Sequence, residues 1–506
     1  MECGVSKQSV RNLLEVGQGN EIAITAPNRK PLNYNGLRIH VDLIGEQLAS
    51  IGLKNSDRVA IVLPNGPEMA TAFLAVASYM SAAPLNPSYK EAEYEFYLED
   101  LKPKLVIVEE NTSNPVVKAA KKLSIPIAEI SVNKDNAAGE FSLFETRKSI
   151  DIPSIEMEAL VLHTSGTTSR PKVVPLTQSN LVASSGNISA TLKLKEADHS
   201  LNIMPLFHIH GLIAVLCASI SAGSSVCCTP GFNALKFFEL ANSQKITWYS
   251  GVPTMHQAIL LRGQRQADVA KALNLRFIRS SSASLPPAVF DELIALFNCP
   301  VIEAYGMTEA THQMTSNPLP PKKQKAGFVG IPAGPEVCIM NDNNQIMKSG
   351  DIGEVCIKGS NVTSGYENNP EANESSFING WFRTGDQGFF DQDGYLKISG
   401  RLKEIINKGG EKISPLEIDN VLMDHPSIEQ AVCFGYEVKM LGEDIATAII
   451  VKEGMNCTEE DLKNYANEKL AKFKVPKKIF FVDEIPKGAT GKLQRNTLAK
   501  KFGLVN

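Results

Sequence analysis

The sequence has little that would indicate a secreted, zinc-bound or membrane-embedded protein. Its nine cysteines include no Cys-x-x-Cys pair and no other zinc-ligand spacing, which argues against a structural zinc site. Cys227 and Cys228 are adjacent and the others are scattered among apolar residues, a distribution typical of free thiols in a reducing compartment. The first residues lack a basic stretch followed by an apolar one, so we expect no secretion signal.

Long hydrophobic runs and an excess of one charge are also missing. The most apolar long stretch, residues 211–228, is interrupted by serines and glycine, and it predicts a buried helix followed by a strand rather than a membrane span. The 51 Lys and Arg nearly balance the 55 Asp and Glu, for a net charge of -4. This balance argues against a nucleic-acid or membrane-surface binder. The chain ends without Ser-Lys-Leu, so we expect a cytosolic location.

The 506 residues, 43% hydrophobic and 21% charged, suit a globular enzyme of several domains. Short apolar runs alternate with helical patterns through the first part of the chain. The runs lie at residues 59–63, 105–108, 200–204, 225–228, 247–250 and 277–280, and the first helical patterns at 34–51 and 67–80. Short buried strands alternating with helices predict an α/β fold with parallel sheets covered on both faces.

The pattern changes twice towards the C-terminus. Glycines and prolines punctuate short strands after about residue 327, which predicts a small β-barrel over about residues 327–400. From residue 403, helix, strand, strand and helix patterns follow one another. We therefore predict an N-terminal domain over residues 1–402, made of two βα-layered subdomains plus the small barrel, and a separate small α+β domain over residues 403–506.

Residues 164–172, Thr-Ser-Gly-Thr-Thr-Ser-Arg-Pro-Lys, have the composition of a phosphate-binding loop. Gly166 permits close approach of the backbone, and the hydroxyl and N–H groups can bond phosphate oxygens. It is not a Walker A loop, because Lys172 does not belong to a Gly-Lys-Ser/Thr step. Composition alone leaves open an ordinary Ser/Thr-rich loop.

Five segments, in order along the chain, resemble motifs of the adenylate-forming superfamily of acyl-CoA synthetases, peptide-synthetase adenylation domains and luciferases. They are the loop at 164–172, Tyr-Gly-Met-Thr-Glu at 305–309, Trp-Phe-Arg-Thr-Gly-Asp at 381–386, residues 400–410, and Pro-Lys-Gly-Ala-Thr-Gly-Lys at 486–492. Together they span nearly the whole chain. The resemblance implies that a carboxylate is joined to the α-phosphate of ATP, that pyrophosphate is released, and that the acyl group then passes to a thiol.

The resemblance also implies a site for ATP and Mg²⁺. Glu309 is the expected ligand of Mg²⁺, and Thr308 is expected to donate to the α-phosphate. Lys492 is expected to bridge the carboxylate and the α-phosphate in the transition state. Tyr305 offers a face to adenine, and Asp386 can accept from both ribose hydroxyls. The remaining expected nucleotide contacts are Thr164, Ser165, Gly166, Thr167, Thr168, Lys172, Ser282, Ala283, Glu303, Ala304 and Arg401.

In the family the C-terminal domain rotates between the two half-reactions, and the resemblance implies the same here. Lys403 falls on the hinge position, where many members carry Asp. One face of the C-terminal domain would present Lys492 to the active site for adenylation. The other would present Lys408, Gly409 and Gly410, where a narrow passage for the pantetheine of coenzyme A needs residues without bulk. We expect the protein to be a monomer.

The acyl pocket is expected between residues 208–210, 248–252, 279–285 and the residues after Glu309. The third segment reads Arg-Ser-Ser-Ser-Ala-Ser-Leu, where relatives often have Ser-Gly-Gly-Ala-Pro. Hydroxyls and imidazoles are poor neighbours for an alkyl chain and good ones for a second carboxylate. The candidate substrate residues are His208, His210, Ser281, Ser282 and His312, with His208 also a candidate catalytic residue. Serines that contact only adenine or the backbone remain an alternative.

These pocket segments are similar to one branch of the family, the oxalyl-CoA synthetases of plants and fungi. The similarity implies that oxalate, ATP and coenzyme A give oxalyl-CoA, AMP and pyrophosphate. Two alternatives stay open. One is a CoA ligase for a hydroxycinnamate or medium-chain acid. The other is a non-catalytic nucleotide- or RNA-binding module, against which the presence of Lys492, Glu309 and Asp386 argues. A hydrolase is disfavoured because no Gly-x-Ser-x-Gly elbow occurs.

Overall fold

The computed structural model describes residues 9–164, 171–438, 442–487 and 493–504. In these residues the chain forms four β-sheets with helices packed against them. The α/β architecture predicted from the alternating pattern is therefore confirmed.

The largest sheet has nine strands, and its central six are parallel. In spatial order the strands are Ile331–Pro332, His312–Ser316, Val301–Met307, Phe277–Ser280, Trp248–Gly251, His199–Asn202, Ser225–Cys228, Ile22–Thr25 and Leu32–Asn33. Every residue of Phe277–Ser280 and Trp248–Gly251 is buried. This is the burial expected of parallel strands covered on both faces.

A second sheet has six strands, which in spatial order are Ile127–Ile130, Leu105–Glu109, Arg58–Val62, Ser81–Pro84, Glu158–His163 and Val173–Thr177. All neighbours are parallel except the last two strands, which form an antiparallel pair. The candidate phosphate loop connects the two strands of this pair.

Two five-stranded sheets follow. The region predicted as a small barrel forms an antiparallel sheet of Glu336–Met340, Gly353–Lys358, Trp381–Phe390, Phe377–Ile378 and Leu396–Arg401. The last sheet contains Glu411–Ile413, Ile406–Lys408, Gly442–Val451, Ile428–Val438 and Lys478–Phe481. The short 3₁₀ helix Leu402–Glu404 lies between these two sheets in the chain, next to the predicted domain boundary, which stays a prediction.

The helices begin where the sequence offers the appropriate caps. The Asn33 side chain accepts a hydrogen bond from the Gly36 N–H at the start of Tyr34–Ser50. Pro67 occupies the first turn of Pro67–Tyr79, whose residues are all buried except Glu68. The other α-helices are Val10–Leu13, Glu91–Leu101, Val116–Lys122, Gln178–Thr191, Ala218–Ile220, Phe237–Ser243, Pro253–Gly263, Ala267–Ala272, Pro287–Phe297, Pro370–Ser376, Pro415–Met423, Glu459–Lys469 and Leu498–Lys501. Among the described helices, none has the length and apolar character needed to cross a bilayer.

Candidate active site

Part of the expected acyl pocket lies where parallel strands of the nine-stranded sheet end. Ser250 belongs to the strand Trp248–Gly251, and Ser282 follows Phe277–Ser280 shortly after its last residue. Thr308 comes directly after the next strand across the sheet. Because the carboxyl ends of parallel strands meet at one edge of a sheet, these residues are brought together in space.

A buried π-helix, His210–Cys217, contributes the histidine at the centre of the pocket. π-Helical segments are rare in proteins and are frequently found at functional sites. Gly211 is required here, since a Cβ at this position would lie 2.4 Å from the carbonyl oxygen of Pro205. The close approach of this backbone therefore fixes where His210 enters the pocket.

The imidazole of His210 lies between two serine hydroxyls. Its Nε2 is 2.7 Å from the Oγ of Ser250, and its Nδ1 is 3.0 Å from the Oγ of Ser282. The ring of His312 lies 4.9 Å from that of His210, measured between centroids. His208 is close by, because its Nδ1 accepts from the backbone N–H of His210. The structure thus brings together four of the five predicted substrate residues.

Two of these residues have a strained backbone. Ser282 has a φ of 73° and His312 a φ of 95°, a region that costs a residue with a side chain roughly 1–3 kcal/mol. Gly306 accommodates this conformation, since a Cβ there would lie 1.8 Å from the carbonyl oxygen of His312. Such strain is typical of functional sites, where the surrounding structure holds a side chain in one orientation.

Ser281 is used differently from its neighbour. Its hydroxyl is fully buried and donates to the carbonyl oxygen of Ala304 at 2.9 Å. This is the backbone role that the sequence left open as an alternative. We therefore leave Ser281 out of the substrate-binding set.

A second cluster contains the residues predicted to bind the nucleoside. Asp386 is buried, and the hydroxyl of Tyr305 donates to one of its carboxylate oxygens. The Nε of Arg401 lies 2.9 Å from the other carboxylate oxygen. The Asp386 charge is the main cause that raises the pKa of Arg401. A carboxylate with two oxygens still has lone pairs for ribose hydroxyls after these contacts.

Glu309 lies in a third cluster, beside a residue that the sequence did not single out. Tyr366 donates its hydroxyl to Glu309 Oε1 at 2.8 Å, and the Nζ of Lys172 lies 4.1 Å from the centre of the Tyr366 ring. Burial lowers the pKa of Lys172, and the nearby Glu309 charge opposes that shift. Tyr366 belongs to none of the five motifs, so no sequence signal pointed to it.

The carboxylate of Glu309 fits Mg²⁺, a hard cation that prefers oxygen ligands. The described residues contain no group of three or more His, Cys, Asp or Glu that could hold a metal ion. Mg²⁺ does not require such a group at a nucleotide site, because phosphate oxygens and water complete its coordination around one or two carboxylates.

The ends of the candidate phosphate loop are held together by hydrogen bonds. The backbone N–H of Thr164 donates to the carbonyl of Lys172 at 2.9 Å, and the N–H of Lys172 donates to Thr164 Oγ1 at 3.1 Å. These two bonds continue the antiparallel pairing of the strands Glu158–His163 and Val173–Thr177 by one residue pair. The other predicted loop residues, Ser165, Gly166, Thr167 and Thr168, lie outside the described residues, as does Lys492.

The predicted hinge and CoA residues occupy the start of the last sheet. Lys403 is exposed in the 3₁₀ helix Leu402–Glu404. Lys408 Nζ lies 2.6 Å from an oxygen of Asp444, so Lys408 forms an ion pair with this carboxylate. Gly409 and Gly410 are exposed in the turn that follows.

Glu303 and Ala304 lie in the strand Val301–Met307, and Ala283 is exposed in the loop beside Ser282. The Glu303 side chain is buried, and its Oε1 accepts from the backbone N–H of Leu285 at 2.9 Å. Its Oε2 has no hydrogen-bond partner in the described part of the chain. Burial raises the pKa of Glu303 to about 8.

Replacing Glu303 with Gln is expected to alter the pH dependence of stability. The folded protein keeps a proton on Glu303 up to about pH 8, whereas the unfolded chain releases it near pH 4.5. The free energy of unfolding should therefore fall as the pH rises between these values, by at most about 1.4 kcal/mol per pH unit. In Glu303→Gln this fall should be smaller when thermal unfolding is followed from pH 5 to 8.

The matched control is Glu292→Gln, which changes an exposed carboxylate on the helix Pro287–Phe297. It should keep the wild-type pH profile. Parallel profiles for Glu303→Gln and the wild type would contradict a raised pKa at Glu303.

Known proteins are similar to this chain in sequence and in fold. It is 45% identical over 501 residues to the oxalate–CoA ligase of Arabidopsis thaliana, which covers 95% of this chain and 97% of that protein. It is 43% identical over 475 residues to the oxalate–CoA ligase of Saccharomyces cerevisiae, covering 88% and 87%. The fold is similar to that of ATP-bound MatB from Rhodopseudomonas palustris, with a TM-score of 0.89, 26% identity, and coverage of 98% and 99%.

Two family models match successive parts of the chain. Residues 15–367 match the AMP-binding enzyme family, and residues 417–492 match the AMP-binding enzyme C-terminal domain. Since the first match alone covers more than half of the chain, the protein belongs to the AMP-binding enzymes, the adenylate-forming family that its motifs resemble.

Proposed function

We propose that this protein is an AMP-forming acid–thiol ligase that converts oxalate, ATP and coenzyme A to oxalyl-CoA, AMP and pyrophosphate. The observation that carries the choice of acid is the polar pocket. The imidazole of His210 is buried between the hydroxyls of Ser250 and Ser282, with the ring of His312 beside it. The names of the two relatives at 45% and 43% identity support the same acid.

The pocket suits a small dianion because it offers hydrogen bonds rather than apolar surface. Oxalate has two adjacent carboxylates and almost no hydrophobic area, so its affinity must come from charge-assisted hydrogen bonds. One carboxylate would face the α-phosphate near Thr308. The other would meet Ser282, His208 and His312. An alkyl or aromatic acid would instead leave these polar groups without partners, which costs binding free energy.

In the first half-reaction a carboxylate oxygen attacks the α-phosphorus of ATP. A bond forms between oxygen and phosphorus, and the bond from that phosphorus to the pyrophosphate oxygen breaks. Asp386 would hold the ribose, and Glu309 would hold Mg²⁺, which neutralises phosphate charge when bound. Thr308 would donate to the α-phosphate. Lys492 would add a positive charge beside the reacting oxygens, where negative charge concentrates in the transition state.

In the second half-reaction the thiolate of coenzyme A attacks the acyl carbon. A carbon–sulfur bond forms, the carbon–oxygen bond to AMP breaks, and the thiol proton passes to solvent. The C-terminal domain would turn about Lys403 between the two steps. Gly409 and Gly410 would then line the passage for pantetheine, with Lys408 beside it.

We also propose that the enzyme is located in the cytosol. All cysteines in the described residues are free, and most are buried, which suits the reducing cytosol. We further propose that it acts as a monomer without a nucleic-acid partner.

A panel of carboxylic acids tests the proposed reaction. With AMP formation measured in the presence and absence of coenzyme A, oxalate should exceed malonate, acetate, octanoate and 4-coumarate in kcat/KM by at least about 10²-fold. Malonate should be a poor substrate because its extra methylene places the second carboxylate beyond the donors of the pocket. Acetate, octanoate and 4-coumarate should be poor substrates because they have no second carboxylate. His312→Ala should raise the KM for oxalate much more than the KM for ATP, because the lost imidazole faces the acid and not the nucleotide.

The control is His425→Ala, which changes a histidine between the helix Pro415–Met423 and the strand Ile428–Val438. This variant should keep the wild-type KM for oxalate and for ATP. A higher kcat/KM for octanoate or 4-coumarate would favour the alternative ligase. Failure of every acid to produce AMP would favour a non-catalytic nucleotide-binding protein.

Lys492→Ala should separate the two half-reactions. Removing the charge near the α-phosphate should slow adenylate formation by about 10²–10³-fold. Transfer from preformed oxalyl-adenylate to coenzyme A should stay near the wild-type rate, because the domain would present its other face in that step. Equal losses in both half-reactions would contradict the role proposed for Lys492.

A further inference from the structure

Arg279 carries a positive charge in the interior of the nine-stranded sheet. It lies in the strand Phe277–Ser280 and is fully buried. Its Nη1 donates to Ser250 Oγ at 3.4 Å and its Nη2 to Gln313 Oε1 at 3.2 Å, while its Nε has no acceptor among the described residues. Across the described part of the chain, no carboxylate forms an ion pair with it.

Both partners of this guanidinium are neutral. The amide nitrogen of Gln313 donates to the carbonyl of Ala333 at 3.0 Å and to Thr191 Oγ1 at 3.2 Å, so its oxygen is directed at Arg279. Burial lowers the pKa of Arg279 to about 9, which still leaves it charged at neutral pH. A buried charge without a counterion is costly, so this position requires a compensating anion or a specific role.

The hydrogen bonds of Arg279 give a direction to the contacts in the acyl pocket. A guanidinium has only donors, so Ser250 accepts from it and has its own proton for His210 Nε2, 2.7 Å away. His210 would then carry its proton on Nδ1 and donate to Ser282 Oγ, 3.0 Å away. Ser282, which is only half-buried, would finally have its hydroxyl proton available for a ligand.

We propose that Arg279 is a positioning residue that prepares this pocket for the second carboxylate of the substrate. It acts through Ser250 and His210, whose protons it orients so that Ser282 donates into the pocket. Its buried charge also attracts a dianion across an interior that screens charges weakly. This inference rests on the proposed function, because it assigns a cause to the preference for a dicarboxylate.

The comparison of oxalate with oxamate isolates the second charge. Oxamate has the same size, but a neutral amide replaces one carboxylate. The wild type should prefer oxalate in kcat/KM by at least about 10²-fold. In Arg279→Met the KM for oxalate should rise by about 10- to 100-fold, since the hydrogen bond from Ser282 to the second carboxylate, which Arg279 orients, contributes about this much. The KM for ATP should stay within about twofold, and the preference over oxamate should largely disappear.

Two further variants separate charge from packing. Arg279→Lys keeps the positive charge and should retain an oxalate KM within about tenfold of the wild type. Arg265→Met removes an exposed arginine and should leave all constants unchanged. Ser250→Ala breaks the chain of hydrogen bonds without removing the charge and should also raise the oxalate KM, which keeps the proposal testable if Arg279→Met does not fold.

Three outcomes would overturn the proposal. In the first, Arg279→Met loses kcat equally for oxalate and oxamate and keeps both KM values. In the second, Arg279→Lys is as impaired as Arg279→Met. In the third, Ser250→Ala keeps the wild-type KM for oxalate. Failure of the proposed function gives a different result, because the wild-type protein itself would then prefer another acid to oxalate or form AMP with no acid.

Discussion

Burying a polar group costs free energy unless hydrogen bonds compensate it, and this cost governs the centre of the molecule. The ends of the parallel strands bury a guanidinium, an imidazole and several hydroxyls side by side. Ser250 connects Arg279 to His210, and Gln313 holds the other end of the guanidinium. Ser282, which has a strained backbone, contacts the same imidazole through its hydroxyl. The residues that satisfy one another in the core are therefore the residues that make the acyl pocket polar.

The residues predicted to bind the nucleotide come from three sheets. Asp386 and Arg401 come from the antiparallel sheet and meet Tyr305 of the nine-stranded sheet. Lys172, at the hairpin of the six-stranded sheet, meets Tyr366 beside Glu309. The positions of the predicted ATP-binding residues therefore depend on the packing of these sheets against one another. The acyl pocket, in contrast, depends mainly on neighbouring strands of one sheet.

The sequence predicted the fold well where burial produced a simple pattern. The strands Ser225–Cys228 and Phe277–Ser280 were predicted to the residue, because parallel strands buried on both faces are short apolar runs. The strand Ser81–Pro84 was missed, since Ser-Ala-Ala-Pro has little strand propensity and is held by its neighbours. In the site, the motifs predicted nucleotide residues that the structure groups around Asp386 and Glu309, and the serine-rich segment predicted Ser282, which contacts His210. The sequence could not separate Ser281 from Ser282, because adjacent side chains point in different directions, and it could not find Tyr366 or Gln313, whose contacts exist only in the folded chain.

The central claim is that this polar pocket receives the second carboxylate of oxalate. A crystal structure of the enzyme with oxalate and a non-hydrolysable ATP analogue tests it most directly. The account predicts one carboxylate next to the α-phosphate and the other within about 2.5–3.2 Å of Ser282 Oγ and an imidazole nitrogen of His312. An oxalate whose second carboxylate contacts neither residue, or points away from His210 into solvent, would contradict the account.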